Sequence, residues 1–373
     1  MRDRFPMCTH SSNGHSVRRS VRLCSVAAQA AFLLAAVNPI LAQCPADVNG
    51  DGGVGGTDLS IVLSAWSSNG QGQYDADINN DGIVDGSDLT SLLSAWGNCA
   101  PAVPAWATLL EATPNPNAVH NEATRAAIAA TGYAWRVRHT ATQVEMVLIP
   151  PGTFDMGCSP TPQSGCWPEE NPVHQVTLTQ PFYLGRYEVT QAQWTAVMGS
   201  NPSHFQGASY PDAANRPVER INYNDAKAFV DAAGMRLPTE AEWEYSYRAG
   251  TRTAFHSMPG FPNGTDDESK LQLVAWIGIN SGMQTRPIGL KPGNGFGVHD
   301  IAGNVLEWTS DWYGDYPSTP QIDPTGAASA WGRVFRSGCW HLGPWLSRVS
   351  VRFEDEPEGL RVSDTGLRVA KNP

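Results

Sequence analysis

Arg236-Leu-Pro-Thr239-Glu-Ala-Glu242-Trp243-Glu-Tyr245 carries its own start signal for a helix. Pro238 fixes the entry, and Thr239 with Glu242 has the Ser/Thr-x-x-Glu spacing that lets two side chains satisfy amide donors orphaned at a helix N-terminus. Trp243 and Tyr245 supply apolar bulk for a core that is otherwise poor in long helices. Working outward, Thr190 with Gln193 repeats the signal and Asn222 occupies the same capping position, so helices are predicted over Thr190–Met198, Asn222–Ala233 and Thr239–Arg248. Gly199, Gly234 and Gly250 are the expected left-handed stops. Upstream lie short β-runs interrupted by Pro and Gly: Val144–Ile149, Val173–Leu178 and Phe182–Tyr187. Beyond residue 250, Gly, Pro, Asn and Trp dominate, which predicts sparse regular structure and long loops pinned by aromatic side chains. The pattern is that of a compact α+β domain over residues 144–373.

A second signal stands nearer the N-terminus. Asp47-Val-Asn49-Gly-Asp51-Gly52 with Asp58 recurs as Asp77-Ile-Asn79-Asn-Asp81-Gly82 with Asp85 and Asp88, and the two begin 77 − 47 = 30 residues apart. Side-chain oxygens at loop positions 1, 3 and 5 (Asp47, Asn49, Asp51; Asp77, Asn79, Asp81) suit one hard cation, with a glycine turning the chain at position 6. The carbonyl at position 7 (Gly53, Ile83), a water-bridged position 9 (Gly55, Asp85) and the acid at position 12 (Asp58, Asp88) complete the six or seven oxygens that Ca²⁺ takes. The extra acid predicts tighter binding in the second loop. An apolar helix follows each loop, Leu59–Trp66 and Leu89–Trp96. Loop plus helix, twice, resembles the dockerin type I module, a small all-α, EF-hand-like unit of secreted and cell-surface proteins. The resemblance implies calcium as cofactor and a cohesin-like or cell-surface protein as partner of residues 44–99. The competing account is a pair of acidic turns without metal.

The chain has 373 residues, enough for two or three domains, and a formal net charge of −11, which argues against nucleic acid as partner. Residues 16–44 pair Arg18, Arg19 and Arg22 with an apolar run from Val26 to Val37, and Ala42 offers a cleavage point. This is the pattern of a secretory signal over residues 1–42, and it predicts an extracellular, periplasmic or cell-surface location with no transmembrane helix once the signal is gone. Arg18-Arg19 leaves the twin-arginine route open beside the general one. Export makes disulfides the default for cysteine. Cys44 and Cys99 bracket the calcium repeats, and closing a loop of that length is worth roughly 4 kcal/mol in the entropic account. Cys158 and Cys166 suit a clip on one surface loop. Cys339 is left odd, either a buried thiol packing as a small hydrophobe or a reactive one. Residues 100–143, opening on Ala100-Pro-Ala-Val-Pro-Ala105, read as a linker with one short helix between Asn121 and Ala130.

Within residues 144–371 the ordered blocks Met146-Val-Leu-Ile-Pro-Pro-Gly-Thr-Phe-Asp-Met-Gly157, Glu169-Glu-Asn-Pro-Val-His174, Tyr187-Glu-Val-Thr-Gln-Ala-Gln-Trp194, Arg216-Pro-Val-Glu219, Leu237-Pro-Thr-Glu-Ala-Glu-Trp243, Asn294-Gly-Phe-Gly-Val-His-Asp300, Gly303-Asn-Val-Leu-Glu-Trp308 and Gly366-Leu-Arg368 resemble the formylglycine-generating enzyme, or sulfatase-modifying factor, family. The resemblance implies a C-type-lectin-like fold with long irregular loops. It also implies a structural calcium loop with Ala302, Gly303, Val305 and Glu307 as candidate ligands, the alternative being an ion-paired Glu307 on a surface turn. The family's other calcium loop looks shortened here, to residues 275–282, and no metal is expected there.

The family's chemistry belongs to two cysteines that hold copper(I), a soft-ligand site open to a substrate thiol and oxygen. In Ser337-Gly-Cys339-Trp340-His341-Leu342-Gly-Pro-Trp-Leu-Ser347-Arg348 those positions fall on Leu342 and Ser347. Copper is therefore not expected. Cys339 stands where the family has serine, and in a strand it would share a face with His341, a weak candidate for catalysis or metal binding. The expectation is a family domain without its oxidase thiols, acting as a binding or accessory module for a ligand not identified by sequence, with Trp312, Tyr313, Tyr316, Trp340 and Trp345 as candidate binding aromatics. The alternative is a divergent oxidase of sulfatase cysteines that uses Cys339.

Overall fold

The computed structural model describes residues 44–49, 53–72, 74–359 and 361–373; the expected signal segment and Asp51 and Gly52 of the first calcium loop lie outside them. In chain order the strands are β1 Gly53–Val54, β2 Gly97–Asn98, β3 Ala107–Glu111, β4 Arg136–His139, β5 Glu145–Ile149, β6 Gly152–Met156, β7 His174–Leu178, β8 Phe182–Gly185, β9 Leu306–Trp312, β10 Gln321–Ile322, β11 Arg333–Arg336, β12 Phe353–Asp355, β13 Thr365–Leu367 and β14 Ala370–Lys371. The α-helices are α1 Gly56–Ser64, α2 Gly86–Ser94, α3 Glu122–Ala129, α4 Gln191–Met198, α5 Tyr223–Ala233 and α6 Glu240–Arg248. Among the described residues no helix is long and apolar enough to cross a membrane.

The N-terminal module is built on α1 and α2, each following an acidic loop. Their inward faces meet in a small core of Ala46, Val54, Val62, Ala76, Val84 and Leu92. The expected Cys44–Cys99 disulfide forms and ties the module's ends together, beside the two-residue ladder of β1 with β2. That ladder is an addition to the all-α expectation.

The larger domain has three sheets. Five strands in the order β14-β8-β5-β4-β3 make an antiparallel sheet whose edges are the domain's first and last strands. Central β5 buries Met146 through Ile149. A four-stranded sheet runs β12-β11-β9-β13, with β13 parallel to β9, and a three-stranded one runs β10-β7-β6. These observations correct the linker expectation for residues 100–143. β3 and β4 lie inside the sheet, Ala102 bridges to Tyr133, and Val119, Ile128, Ala134, Trp135 and Val137 are buried in the main core. The proline-rich lead-in disguised an edge strand that is half exposed and so shows no clean alternation.

The helix signals hold. Thr190, Asn222 and Thr239 cap α4, α5 and α6 through capping boxes, and Asn121 caps α3. Gly199 and Gly234 adopt the left-handed stop, but α6 ends one residue earlier than Gly250, on left-handed Ala249. Trp194 of α4 stacks on Phe229 of α5 at 5.1 Å.

What α6 brings to the interior is charge as well as bulk. Trp243 and Tyr245 are buried as expected, and Tyr247 with them, but so are Glu240 and Glu244, one helical turn apart. Arg336 at the end of β11 donates to Glu240 Oε1 at 2.5 Å and to Glu244 Oε2 at 2.7 Å. Arg352 takes both oxygens of Glu240 at 2.6 and 2.8 Å. Arg248 pairs with Glu244 at 2.8 Å, and the Gly157 amide donates to the same carboxylate at 2.8 Å. The first two turns of α6 are thereby joined to β11, to the segment before β12, and to the loop after β6.

Removing one member of a buried ion network strands charge in a low-dielectric interior, at a cost of roughly 3–5 kcal/mol. Arg336→Met is expected to lose that much in guanidinium unfolding. Lys227→Met, which breaks the exposed Lys227–Asp231 pair, should lose less than about 1 kcal/mol. Equal effects would show that the interior network is not what holds the sheets to α6.

Candidate functional site

The segment after β11 decides the chemistry. The backbone leaves the sheet at Arg336, and Cys339 to Leu342 closes into a turn through the Leu342 amide and the Cys339 carbonyl at 3.1 Å. Cys339 and His341 therefore meet on a turn rather than on one face of a strand. Leu342 is partly exposed, and Ser347 is fully buried with its Oγ unpartnered. Ser347 packs against the backbone of Gly338 so closely that a Cβ there would lie 1.8 Å from its Oγ. Neither position offers a thiol. Cys339 is a free cysteine with no exposed surface, and burial pushes its thiol well up, so it is a poor nucleophile where it stands.

A third residue joins this turn. His341 Nε2 lies 2.7 Å from Asp364 Oδ2, and ligating atoms of Cys339, His341 and Asp364 all fall within 4.8 Å of one another. Asp364 was not legible in sequence, because only the parallel pairing of β13 with β9 carries it to the turn. Nearby, Glu219 accepts the His204 and Phe205 amides on Oε1 at 2.6 and 2.9 Å, while its Oε2 is buried without a partner. Burial pushes Glu219 up to about 7, against the pull of those amides, with the Asp364 carboxylate adding to the rise.

The loop Ala302–Glu307 turns at Gly303, whose φ of +88° and tight approach to the Trp276 carbonyl exclude a side chain. Glu307 is ion-paired as one expectation had it, but in the core and not on a surface turn. Arg368 donates to both its oxygens at 2.8–3.1 Å, and Trp243 Nε1 donates to Oε2 at 2.7 Å. As a calcium ligand Glu307 would have to give up part of that pairing. Two acids missed in sequence share the region. Glu188 accepts the Val305 amide and the Asn304 side chain, and burial together with the Asp300 and Glu307 charges raises it well above the usual carboxylate range. Asp300 accepts the Gly289 amide on Oδ2 and leaves a buried Oδ1 without a partner; burial pushes it up to about 6.

In the N-terminal module the position-12 acids of the two loops make matching contacts. Asp58 accepts the Asn49 and Gly55 amides, and Asp88 those of Asn79 and Asp85, so each position-12 acid is buried and aimed back into its loop. Asp77 accepts from Asp81 and left-handed Gly82, Asn79 from Asp81, and Asp81 from Ile83, which curls the acids inward. Asp85 caps α2 through the Ser87 amide at 2.7 Å. Leu63, Trp66, Leu93 and Trp96 stay exposed at matching places in the two repeats, as does Ile83 in the second loop.

The Cys158–Cys166 clip forms as expected. Of the candidate binding aromatics, Trp312, Tyr313 and Tyr316 stack under arginines, Arg333 at 3.6 Å from the Trp312 ring and Arg352 at 4.4 and 3.9 Å from the two tyrosines. Trp345 is 41% exposed, and Trp331, which the sequence did not single out, is 60% exposed. A cleft of about 790 Å³ lined by His120, Arg186, Arg252, Asn263 and His299, among others, lies elsewhere, and no residue of 337–348 lines it.

A model of the sulfatase-modifying factor enzyme 1-like domain matches residues 132–373, and one of the dockerin type I domain matches residues 45–94. The chain is similar to the chaperone protein LppX of Paenibacillus barcinonensis, at 29% identity over 63% of this chain and 91% of that one. It is also similar to the formylglycine-generating enzyme of Mus musculus, at 31% identity over 61% and 74%. Among solved structures, variable protein 1 of Treponema denticola superposes with a TM-score of 0.55 at 32% identity, covering 63% of this chain and 98% of that one. PvdO from Pseudomonas aeruginosa gives 0.53 at 27% identity, covering 64% and 98%.

A carboxyl held above its unfolded value binds more protons folded than unfolded, so its contribution to stability falls as pH rises. For Glu219 the window runs from about 4.5 to about 7. Relative to the parent chain, Glu219→Gln should therefore gain about 3 kcal/mol across that window. Guanidinium unfolding of both chains at the two ends of the window checks it; a constant difference would mean Glu219 titrates normally.

Proposed function

This chain belongs to the sulfatase-modifying factor family, and on that premise we propose that it is an exported accessory protein whose family domain binds rather than oxidises, placed by its calcium-loop module. The observation that carries this is the pair of positions where the family's copper thiolates belong: a leucine, and a buried serine wedged against Gly338. Copper(I) chemistry needs soft thiolate ligands, and the one free thiol among the described residues is buried and held protonated. A relative named as a chaperone shows that names in this family are not confined to the oxidase. The cleft lined by Arg186 and Arg252 is the proposed ligand site, since it joins a concave surface to polar side chains, among them Arg186 with a buried Nε that has no partner.

Calcium is proposed in both N-terminal loops, with Asp47, Asn49, Asp51, Gly53 and Asp58 holding one ion and Asp77, Asn79, Asp81, Ile83, Asp85 and Asp88 the other. Neighbouring acids converging on each turn repel one another unless a cation sits among them. A structural calcium beside Gly303 is proposed on similar grounds. Glu188, Asp300 and Glu307 bring three buried acids against Arg368, and the orphaned Asp300 Oδ1 is a ready ligand where Glu307 is already engaged. The carbonyls of Ala302, Gly303 and Val305 would complete the set. The exposed Leu63, Trp66, Leu93 and Trp96 form the apolar surface through which a cohesin-like or cell-surface protein would dock.

Oxygen uptake by the purified chain, supplied with copper(I), reductant and a peptide containing Cys-x-Pro-x-Arg, should not exceed the rate without protein. Turnover that disappears in Cys339→Ser would overturn the proposal in favour of a divergent oxidase. Calorimetry with calcium should show the second loop binding more tightly than the first, and Asp88→Ala should weaken that site by at least about tenfold.

A further inference from the structure

The turn at Cys339 carries a group that neither the missing copper pair nor the calcium loops account for. Cys339 and His341 come from one turn, and Asp364 from the residue just before β13. Their donor atoms lie within 4.8 Å of one another, with imidazole nitrogen and carboxylate oxygen already 2.7 Å apart. Bond lengths of about 2.0–2.3 Å to zinc place tetrahedral ligand atoms roughly 3.3–3.7 Å from each other, so adjustments of about an ångström close the site.

We propose that Cys339, His341 and Asp364 bind one zinc ion, with the fourth position open to water. The donor set argues for the metal. One thiolate, one imidazole and one carboxylate form a mixed S, N, O site of the kind zinc accepts, whereas copper(I) favours more sulfur and calcium and magnesium favour oxygen alone. Three protein ligands with a vacant position is the arrangement of an open zinc site rather than a closed structural one.

The surroundings fit a cation. The backbone amides of His341 and Leu342 favour the thiolate form of Cys339, the form a metal binds. Asp364 Oδ1 is held by the Thr365 hydroxyl at 3.1 Å, leaving Oδ2 for the ion. Glu219, with one buried oxygen unpartnered, lies within electrostatic reach of Asp364. The His341 and Asp364 side chains are 33% and 18% exposed, which gives the ion a way in while the sulfur lies buried beneath. The site uses none of the positions at which the family holds copper, and it does not depend on whether the domain binds a ligand elsewhere.

The test uses the full purified chain with its calcium loops saturated by Ca²⁺. Zinc titration should give one additional equivalent, and His341→Ala and Asp364→Asn should each weaken it by at least about 100-fold. Cobalt(II) in place of zinc should give a near-ultraviolet sulfur-to-metal charge-transfer band that Cys339→Ser abolishes. Should Cys339→Ser fail to fold, the other two variants decide the matter, because their side chains sit at the surface of the turn. Zinc uptake that is absent in the parent chain, unchanged in both surface variants, or accompanied by a cobalt spectrum without the sulfur band would overturn the proposal.

Discussion

The constraint on which this domain rests is that two carboxylates one turn apart on α6 are buried and must be answered by arginines from elsewhere in the chain. Glu240 and Glu244 have no water to solvate them, and Arg336, Arg352 and Arg248 supply the opposing charge in forked contacts. Such a network is weak evidence for stability in itself, because desolvation offsets most of the attraction. What it supplies here is definition. A domain with short strands and long loops has few ladders to fix its loop paths, and the guanidinium fork is both directional and always charged. Arg352 also donates to the carbonyls of Glu169 and Gly314, Arg368 to those of Gly185 and His299, and Arg348 to that of Trp345. Each arginine thus fixes a stretch of irregular backbone while neutralising an acid.

The same economy bears on the turn that carries Cys339 and Leu342. Sheet, helix and arginine network are all anchored away from Leu342, so substitution at the turn costs little of the structure. The turn itself stays ordered through contacts that ignore sulfur: Trp340 Nε1 donates to the Ser363 carbonyl, Ser281 to the Trp340 carbonyl, and the Gly278 amide to that of Leu342. A turn held in this way can change its side chains without refolding its neighbours, which is how function changes on a fixed fold.

Local signals were read well and distant ones were not. The caps of α4, α5 and α6 depend on residues three apart, and all three stand where the sequence placed them. The duplicated loops and both disulfides were legible for the same reason, since spacing alone carried them. Residues 100–143 were misread because β3 is an edge strand identified by its partner β4 and not by its own composition. The burial of Glu240 and Glu244 carried no local signal, their partners Arg336 and Arg352 lying 92 to 112 residues further on. Cys339 with His341 was visible as a pair, whereas Asp364 required knowing that β13 returns beside β9.

The positions of these charges along the chain have a bearing on when the domain can form. The acids come early, at Glu170, Glu240, Glu244 and Glu307, and their arginines late, at Arg336, Arg348, Arg352 and Arg368. The last strand, β14, completes the edge of the sheet to which β3, the first strand, belongs. Apart from Arg248, four residues after Glu244, a chain emerging from its N-terminus therefore has these carboxylates in hand well before the arginines that answer them. Pairings so far apart in sequence make for slow closure. For a polypeptide exported before it folds, as proposed for this one, lateness of this kind would be an advantage: the chain would stay loose for passage and commit only once the arginines had followed the acids through.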